Sequence, residues 1–167
     1  MSRVQGFPPI TTPEAHILIL GSMPGIASLG AHQYYAHPRN AFWRIMAEVF
    51  GFDPLCTYEE RVCALTSCGV AVWDVLQLCT RKGSLDSDID NSSVVPNDFA
   101  SFFTAHRQIQ RICFNGAKAA SLYKKHVLPD LGDSALKICY VQLPSTSPAH
   151  AGLSYAQKLH AWRSALV

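Results

Sequence analysis

HILILGSMPGIASLGAHQYYAHPRNAFWRI, residues 16–45, decides how the rest of the chain is read. It opens as an apolar run and breaks at Gly21-Ser22-Met23-Pro24-Gly25. A run of this length bounded by Gly and Pro predicts a buried strand over 17–20. The second half, Gln33-Tyr34-Tyr35-Ala36-His37-Pro38-Arg39-Asn40, is dense in side chains that stack, donate or accept, and an apolar-rich segment follows from Phe42. Long loops loaded with such groups are usually working surfaces. The stretch therefore reads as the entrance to an active site.

Three further apolar runs, 70–73, 112–114 and 138–143, are spaced to leave room for helices over 41–49, 58–67, 99–107, 117–126 and 155–166. The last of these places Leu159, Trp162 and Leu166 on one face. Helices alternating with continuously apolar strands predict an α/β fold with a parallel sheet covered on both faces. Each run ends in punctuation: Gly21-Ser22, Asp74, Asn115-Gly116, and Pro144-Ser145-Thr146-Ser147-Pro148. Ligands of open α/β sheets bind outside the carboxyl ends of the strands, so these four points should line one rim. The polar stretch 80–98 is expected to be a surface loop or part of a binding edge, and the first 16 residues an extended lead-in.

The 167 residues suit one domain, 1–167, with a full core. A hydrophobic content of 49% against 16% charged residues excludes a disordered chain. Apolar runs stay far short of the roughly 20 residues that span a bilayer, and the N-terminus lacks a signal-peptide h-region, so the expected location is the cytoplasm. A net charge of +2 excludes a highly cationic nucleic-acid coat, yet leaves room for a local basic face. Its candidates are Arg39, Arg81, Lys82, Lys118, Lys124, Lys125 and Arg163. The six Cys show no C-x-x-C spacing, and they read as reduced thiols, several of them small core residues.

Gly21–Gly25 lacks the Gly-Lys-Ser/Thr of a phosphate loop and does not fit G-x-G-x-x-G. It is not a G-x-S-x-G elbow either, although Ser22 with His150 keeps a hydrolase reading open. The order of G-S-M-P-G, S-L and Q-Y-Y-A-H-P-R-N-x-F-W resembles the uracil-DNA glycosylase superfamily, and within it the hypoxanthine-DNA (deoxyinosine) glycosylase branch. Val70–Leu76, Gly83-Ser84-Leu85-Asp86, Phe114-Asn115-Gly116 and Leu143–Ala149 continue the resemblance in order over nearly the whole chain. It implies a three-layer α/β/α fold with a short, mostly parallel four-stranded sheet. It also implies no metal, no cofactor, and hydrolysis of a deaminated base from DNA.

Two departures bear on mechanism. Many superfamily members carry Asp or Asn where this chain has Met23, and His or Asn where it has Leu143. A thioether neither acts as a base nor holds water by strong hydrogen bonds. Asn40 is the replacement: its amide has a carbonyl to orient water and an amino group to donate, and it matches the Asn that the hypoxanthine branch assigns to catalysis. A helix cap is its other reading, compatible with the first. Tyr35 or Tyr34 supplies a stacking surface while the other packs in the core. His37 and the hydroxyls and backbone N–H groups of Ser145, Thr146 and Ser147 stabilise the leaving base or grip phosphate, or else shape turns.

The flipped base is expected to meet Ser22, Met23, Pro24, Tyr35, Asp74 and Asn115, with Asp74 alternatively capping a turn. Arg39, Lys118, Thr146 and Ser147 are expected on the DNA backbone. The expected protein is thus a monomer acting on DNA with a deaminated base, hypoxanthine first, in base excision repair. Uracil or G·T and G·U mismatches are the alternative, and a non-catalytic DNA-binding module the second.

Overall fold

The four apolar runs pair edge to edge in the computed structural model, which describes residues 2–167. They form strands β2 (Ile17–Gly21), β3 (Val70–Asp74), β6 (Arg111–Asn115) and β7 (Cys139–Leu143), with β1 (Ser2–Gln5), β4 (Leu76–Arg81) and β5 (Val95–Pro96) forming a second sheet. The first sheet is wholly parallel, in the order β3-β2-β6-β7, with Ile17 level with Val70 on one side and Arg111 on the other. Helices α1 (Ile26–Ala31), α2 (Phe42–Phe50), α3 (Tyr58–Ser67), α4 (Phe99–Ala105), α5 (Ala117–His126), α6 (Leu128–Leu131) and α7 (Tyr155–Leu166) complete the chain, with short 3₁₀ turns at Asp86–Asp88 and Gly132–Lys137.

Period-two alternation divides the sheet's side chains between two cores. Leu18, Leu20, Ala71, Trp73, Ile112 and Phe114 join Phe99 and Phe102 of α4 and Leu122 and Tyr123 of α5. Ile17, Ile19, Val70, Val72 and Cys113 join Phe42, Ile45 and Met46 of α2, Leu65 of α3, and Trp162 and Leu166 of α7. Every residue of β2 is buried, which is why the strand reads as one apolar run with no polar face. The three-layer α/β/α architecture follows.

The second sheet departs from expectation. The lead-in supplies β1, whose Val4 lies opposite Cys79 of β4, and both are buried in the first core. Leu76, Cys79 and Arg81 are buried while Gln77 is exposed, and the alternation breaks at the register shift between Leu76 and Leu78. Arg81, expected among the cations facing DNA, is 1% exposed. Ending a strand beneath the 21–25 turn, it donates to the Pro24 carbonyl at 2.6 Å. Helix predictions over 58–67, 117–126 and 155–166 coincide with α3, α5 and α7, whereas α1 went unpredicted.

Candidate active site

The carboxyl ends of the four parallel strands open into a cleft of about 750 Å³. It brings together Ser22, Met23, Pro24, Tyr35, His37, Arg39, Asn40, Asp74, Asn115, Lys118, Ser145, Thr146 and Ser147, all singled out in the sequence, and adds Ser84, Leu85, Asp86 and Ser87. Two glycines make the convergence possible. A Cβ on Gly21 would stand 3.0 Å from the Tyr35 hydroxyl and collide with the Asp74 carboxylate. Gly116 holds φ at +98°, and a Cβ there would come 3.2 Å from that of Ser145.

One wall is the loop leading into α2. Tyr34 is its core member, 4% exposed, donating to the Pro8 carbonyl at 2.9 Å while its own carbonyl accepts from the Trp43 indole at 2.8 Å. Tyr35 takes a left-handed conformation at φ +56° and stacks on Phe42 with centroids 4.0 Å apart. That strained turn aims its hydroxyl at the cleft floor, so its ring is half committed to the protein. His37 accepts from the Arg39 backbone N–H at Nδ1 (3.1 Å), which leaves Nε2 to carry the proton of the neutral ring. Asn40 Oδ1 accepts from the Phe42 N–H at 3.0 Å. Capping and catalysis are thus compatible: the bond orients the amide and leaves a lone pair and the whole amino group for a ligand.

The opposite wall is a closed clasp. Asn115 donates through Nδ2 to the Thr146 hydroxyl and accepts from the Thr146 N–H, both at 2.9 Å. Thr146 is 1% exposed, and its carbonyl receives the Ala41 N–H at 3.0 Å, joining this wall to the first. Thr146, expected on the DNA backbone, lines the cleft with its hydroxyl bonded to Asn115. Ser147 N–H donates to Ser145 Oγ and Ala149 N–H to Ser147 Oγ, each at 3.2 Å. The N–H groups of Thr146, Ser147 and Ala149 are therefore spent within the protein, and the Ser145 and Ser147 hydroxyls remain on offer. Behind it lies Lys158 of α7, 6% exposed, donating to the Ser147 carbonyl at 3.3 Å, its pKa lowered by burial.

The floor joins Ser22 and Asp74 to Ser84 and Asp86, to which the sequence reading gave no role. Ser22, 6% exposed, donates to Asp86 rather than to any histidine, so no Ser–His pair supports a hydrolase among the described residues. The Ile26 N–H donates to Ser84 Oγ at 2.8 Å and fastens the 84–87 turn to the 21–25 turn. Asp74 is 4% exposed, and burial, then the charge of Asp86, pushes its carboxyl up to about 7 against the opposing pull of Arg81. Its carbonyl accepts from Asn97 Nδ2 at 2.8 Å, which fixes the strand end. Met23 and Leu143, in the slots of the superfamily's catalytic groups, are buried in the first and second cores. At the mouth, Arg39 is exposed, Lys118 donates to Asn91 at 2.8 Å, and α5 begins at Gly116 with no side-chain cap. An uncapped helix start favours negative charge.

Residues 8–166 match the model of the Uracil DNA glycosylase superfamily. The chain is 37% identical over 118 residues to the hypoxanthine DNA glycosylase of Methanosarcina barkeri (strain Fusaro / DSM 804), covering 70% of this chain and 73% of that protein. It is 34% identical over 134 residues to the hypoxanthine DNA glycosylase of Methanosarcina acetivorans, covering 75% and 84%. A solution NMR structure of a candidate uracil DNA glycosylase from Methanosarcina acetivorans superposes with a TM-score of 0.82 at 31% identity, over 99% of this chain and 97% of that one.

Proposed function

The chain belongs to the uracil DNA glycosylase superfamily, and we propose that within it the protein is a monofunctional glycosylase releasing hypoxanthine from DNA in base excision repair. The observation that carries this is the half-used amide of Asn40, held by the Phe42 N–H at the rim of a cleft deep enough for a flipped nucleotide. Enzymes acting on a base take it out of the stack and read it by stacking and hydrogen bonds.

Asn40 orients water toward the sugar carbon C1′. The water oxygen bonds to C1′ as the C1′–N9 bond breaks, its electron pair leaves on the purine, and the water's proton is passed on to the departing base. Positive charge builds on the sugar and negative charge on the purine, so placed dipoles supply most of the rate. The Ser145 and Ser147 hydroxyls and His37 Nε2–H face the leaving group, while Tyr35, Ser22, Met23, Pro24, Asp74 and Asn115 enclose the base. Arg39 and Lys118 take the backbone phosphates, with the protein acting in the cytoplasm as a single-domain monomer.

Duplexes bearing hypoxanthine, uracil, xanthine or T opposite G, incubated with the protein and then cleaved at abasic sites, test the reading. Strand breaks are expected first with hypoxanthine. Faster cleavage of the uracil or mismatch duplex moves the assignment to the alternative substrates, and binding without breaks on all four leaves a DNA-binding module.

A further inference from the structure

Asp74 and Asp86 line the cleft floor, Asp74 buried and Asp86 half-buried, and the charge of the buried Arg81 also acts on Asp74. Arg81 of β4 is 1% exposed; only its Nη2 has an acceptor, while Nε and Nη1 have none among the described residues. Asp86, on the 84–87 turn, accepts the Ser22 hydroxyl. Asp74, at the end of β3, is 4% exposed, and its Oδ2 has no hydrogen-bond partner among the described residues. The Tyr35 hydroxyl on the same floor is likewise buried and unpartnered. The charged and titratable groups that act on Asp74 are Arg81 from β4, Asp86 from the turn, and Tyr34 and Tyr35 from the opposite wall.

Asp74 is the buried carboxyl of the two, and a buried negative charge that no donor satisfies among the described residues is too costly to keep. We propose that Asp74 keeps its proton as a neutral carboxylic acid facing the base, and that Asp86, tethered by Ser22, is the positioning residue that keeps it there. A neutral carboxyl has an O–H donor beside a C=O acceptor, the complement of a lactam edge with its C=O beside N–H. Hypoxanthine, uracil and xanthine share that edge. The O–H would also bond the carbonyl oxygen as charge grows on the leaving base, a use of a buried protonated acid known in other enzymes. The raised pKa of Asp74, due first to burial and then to the charge of Asp86, agrees with this placement.

This rests on the glycosylase reading, yet the protonation itself is measurable without substrate. Carbon-13 NMR of Asp-labelled protein, titrated from pH 4 to 9, is expected to show one carboxyl titrating near 7 that vanishes in Asp74→Asn and moves to lower pH in Asp86→Asn. Single-turnover excision on the inosine duplex is expected to fall about tenfold per pH unit above that point. An amide is a permanent donor–acceptor pair, so Asp74→Asn should keep activity within about tenfold of wild type and show no fall, while Asp74→Leu should lose at least about 100-fold.

If every Asp carboxyl titrates below pH 5 in the wild type, the neutral Asp74 is refuted even if hypoxanthine is released. If one titrates near 7 and no duplex is cut at any pH, the glycosylase reading falls and the neutral Asp74 stands. Should Asp86→Asn leave Asp74 unmoved, the positioning role of Asp86 is wrong. Because the wild-type titration decides the first point, a variant that fails to fold does not protect the proposal.

Discussion

The Asn115–Thr146 clasp and the Asp74–Arg81 floor sit on the same rim and are built on opposite principles. In the clasp each polar group meets its match: amide to hydroxyl, N–H to carbonyl, with a crosslink to the base of α2. On the floor, Asp74 Oδ2, Tyr35 Oη and two nitrogens of Arg81 are buried and lack partners among the described residues. Buried polar groups are nearly always satisfied, and those that are not carry a cost that something else must offset. The clasp is closed on itself, and the floor carries the unsatisfied groups. Asn40 lies between these extremes, with half of its amide used to hold itself still.

The difference is open to breaking at four points, of decreasing effect. Asn40→Ala removes the half-free amide, and single-turnover excision should fall about 10²–10³-fold while affinity for inosine-containing DNA is kept. A wild-type rate in that variant would put the catalytic group elsewhere.

Thr146→Val removes one bond of the clasp and leaves the Asn115 amino group unpaired, at a cost of about 1–3 kcal/mol in chemical denaturation at pH 7. The matching change on the floor should act in the other direction. The Asp74 carboxyl is raised in the folded state, so the native protein holds its proton more tightly than the unfolded chain. Its contribution to stability is full below about pH 4 and is lost as pH rises through about 7. Asp74→Asn should therefore raise stability at pH 8 and leave it nearly unchanged at pH 4, as read from Tm across pH. An equal effect at both pH values would mean that Asp74 ionises normally.

Arg39→Ala, at the exposed mouth, should weaken DNA binding about fivefold for every sequence and reduce the salt slope by about one. A change confined to the inosine duplex would instead place Arg39 at the base.

The legible part of this molecule is the part with a one-dimensional signature. β2, β3, β6 and β7 are continuous apolar runs because both of their faces are covered, and α3, α5 and α7 repeat on a helical period. Those elements fix the rim, and the rim brought together the residues that punctuate the strand ends. What stayed hidden depends on pairing across the chain. β1 and β4 are short and interrupted by polar residues, and neither is apolar enough to announce itself. Arg81 looked like a surface cation because its burial depends on the 21–25 turn folding over it.

The same applies to Asp86 and Ser84. Residues 83–86 were recognised only by resemblance, and nothing in their composition says that they fasten to Ser22 and Ile26, 64 and 58 positions away. That Asn40 would accept a backbone N–H near the start of α2 was visible in advance, since a residue at a helix start has one to accept from. The closure of Asn115 on Thr146 was not, because both also read as ligand groups until their separation in space was known.

The most direct test of the central claim is single-turnover excision from an inosine-containing duplex, with the released base identified by mass and the wild type run beside Asn40→Ala. The account predicts free hypoxanthine, one abasic site for each base released, and a rate at least about 100-fold lower in the variant. Release at equal rates from both proteins, or binding of the duplex with no base released by the wild type, would contradict it.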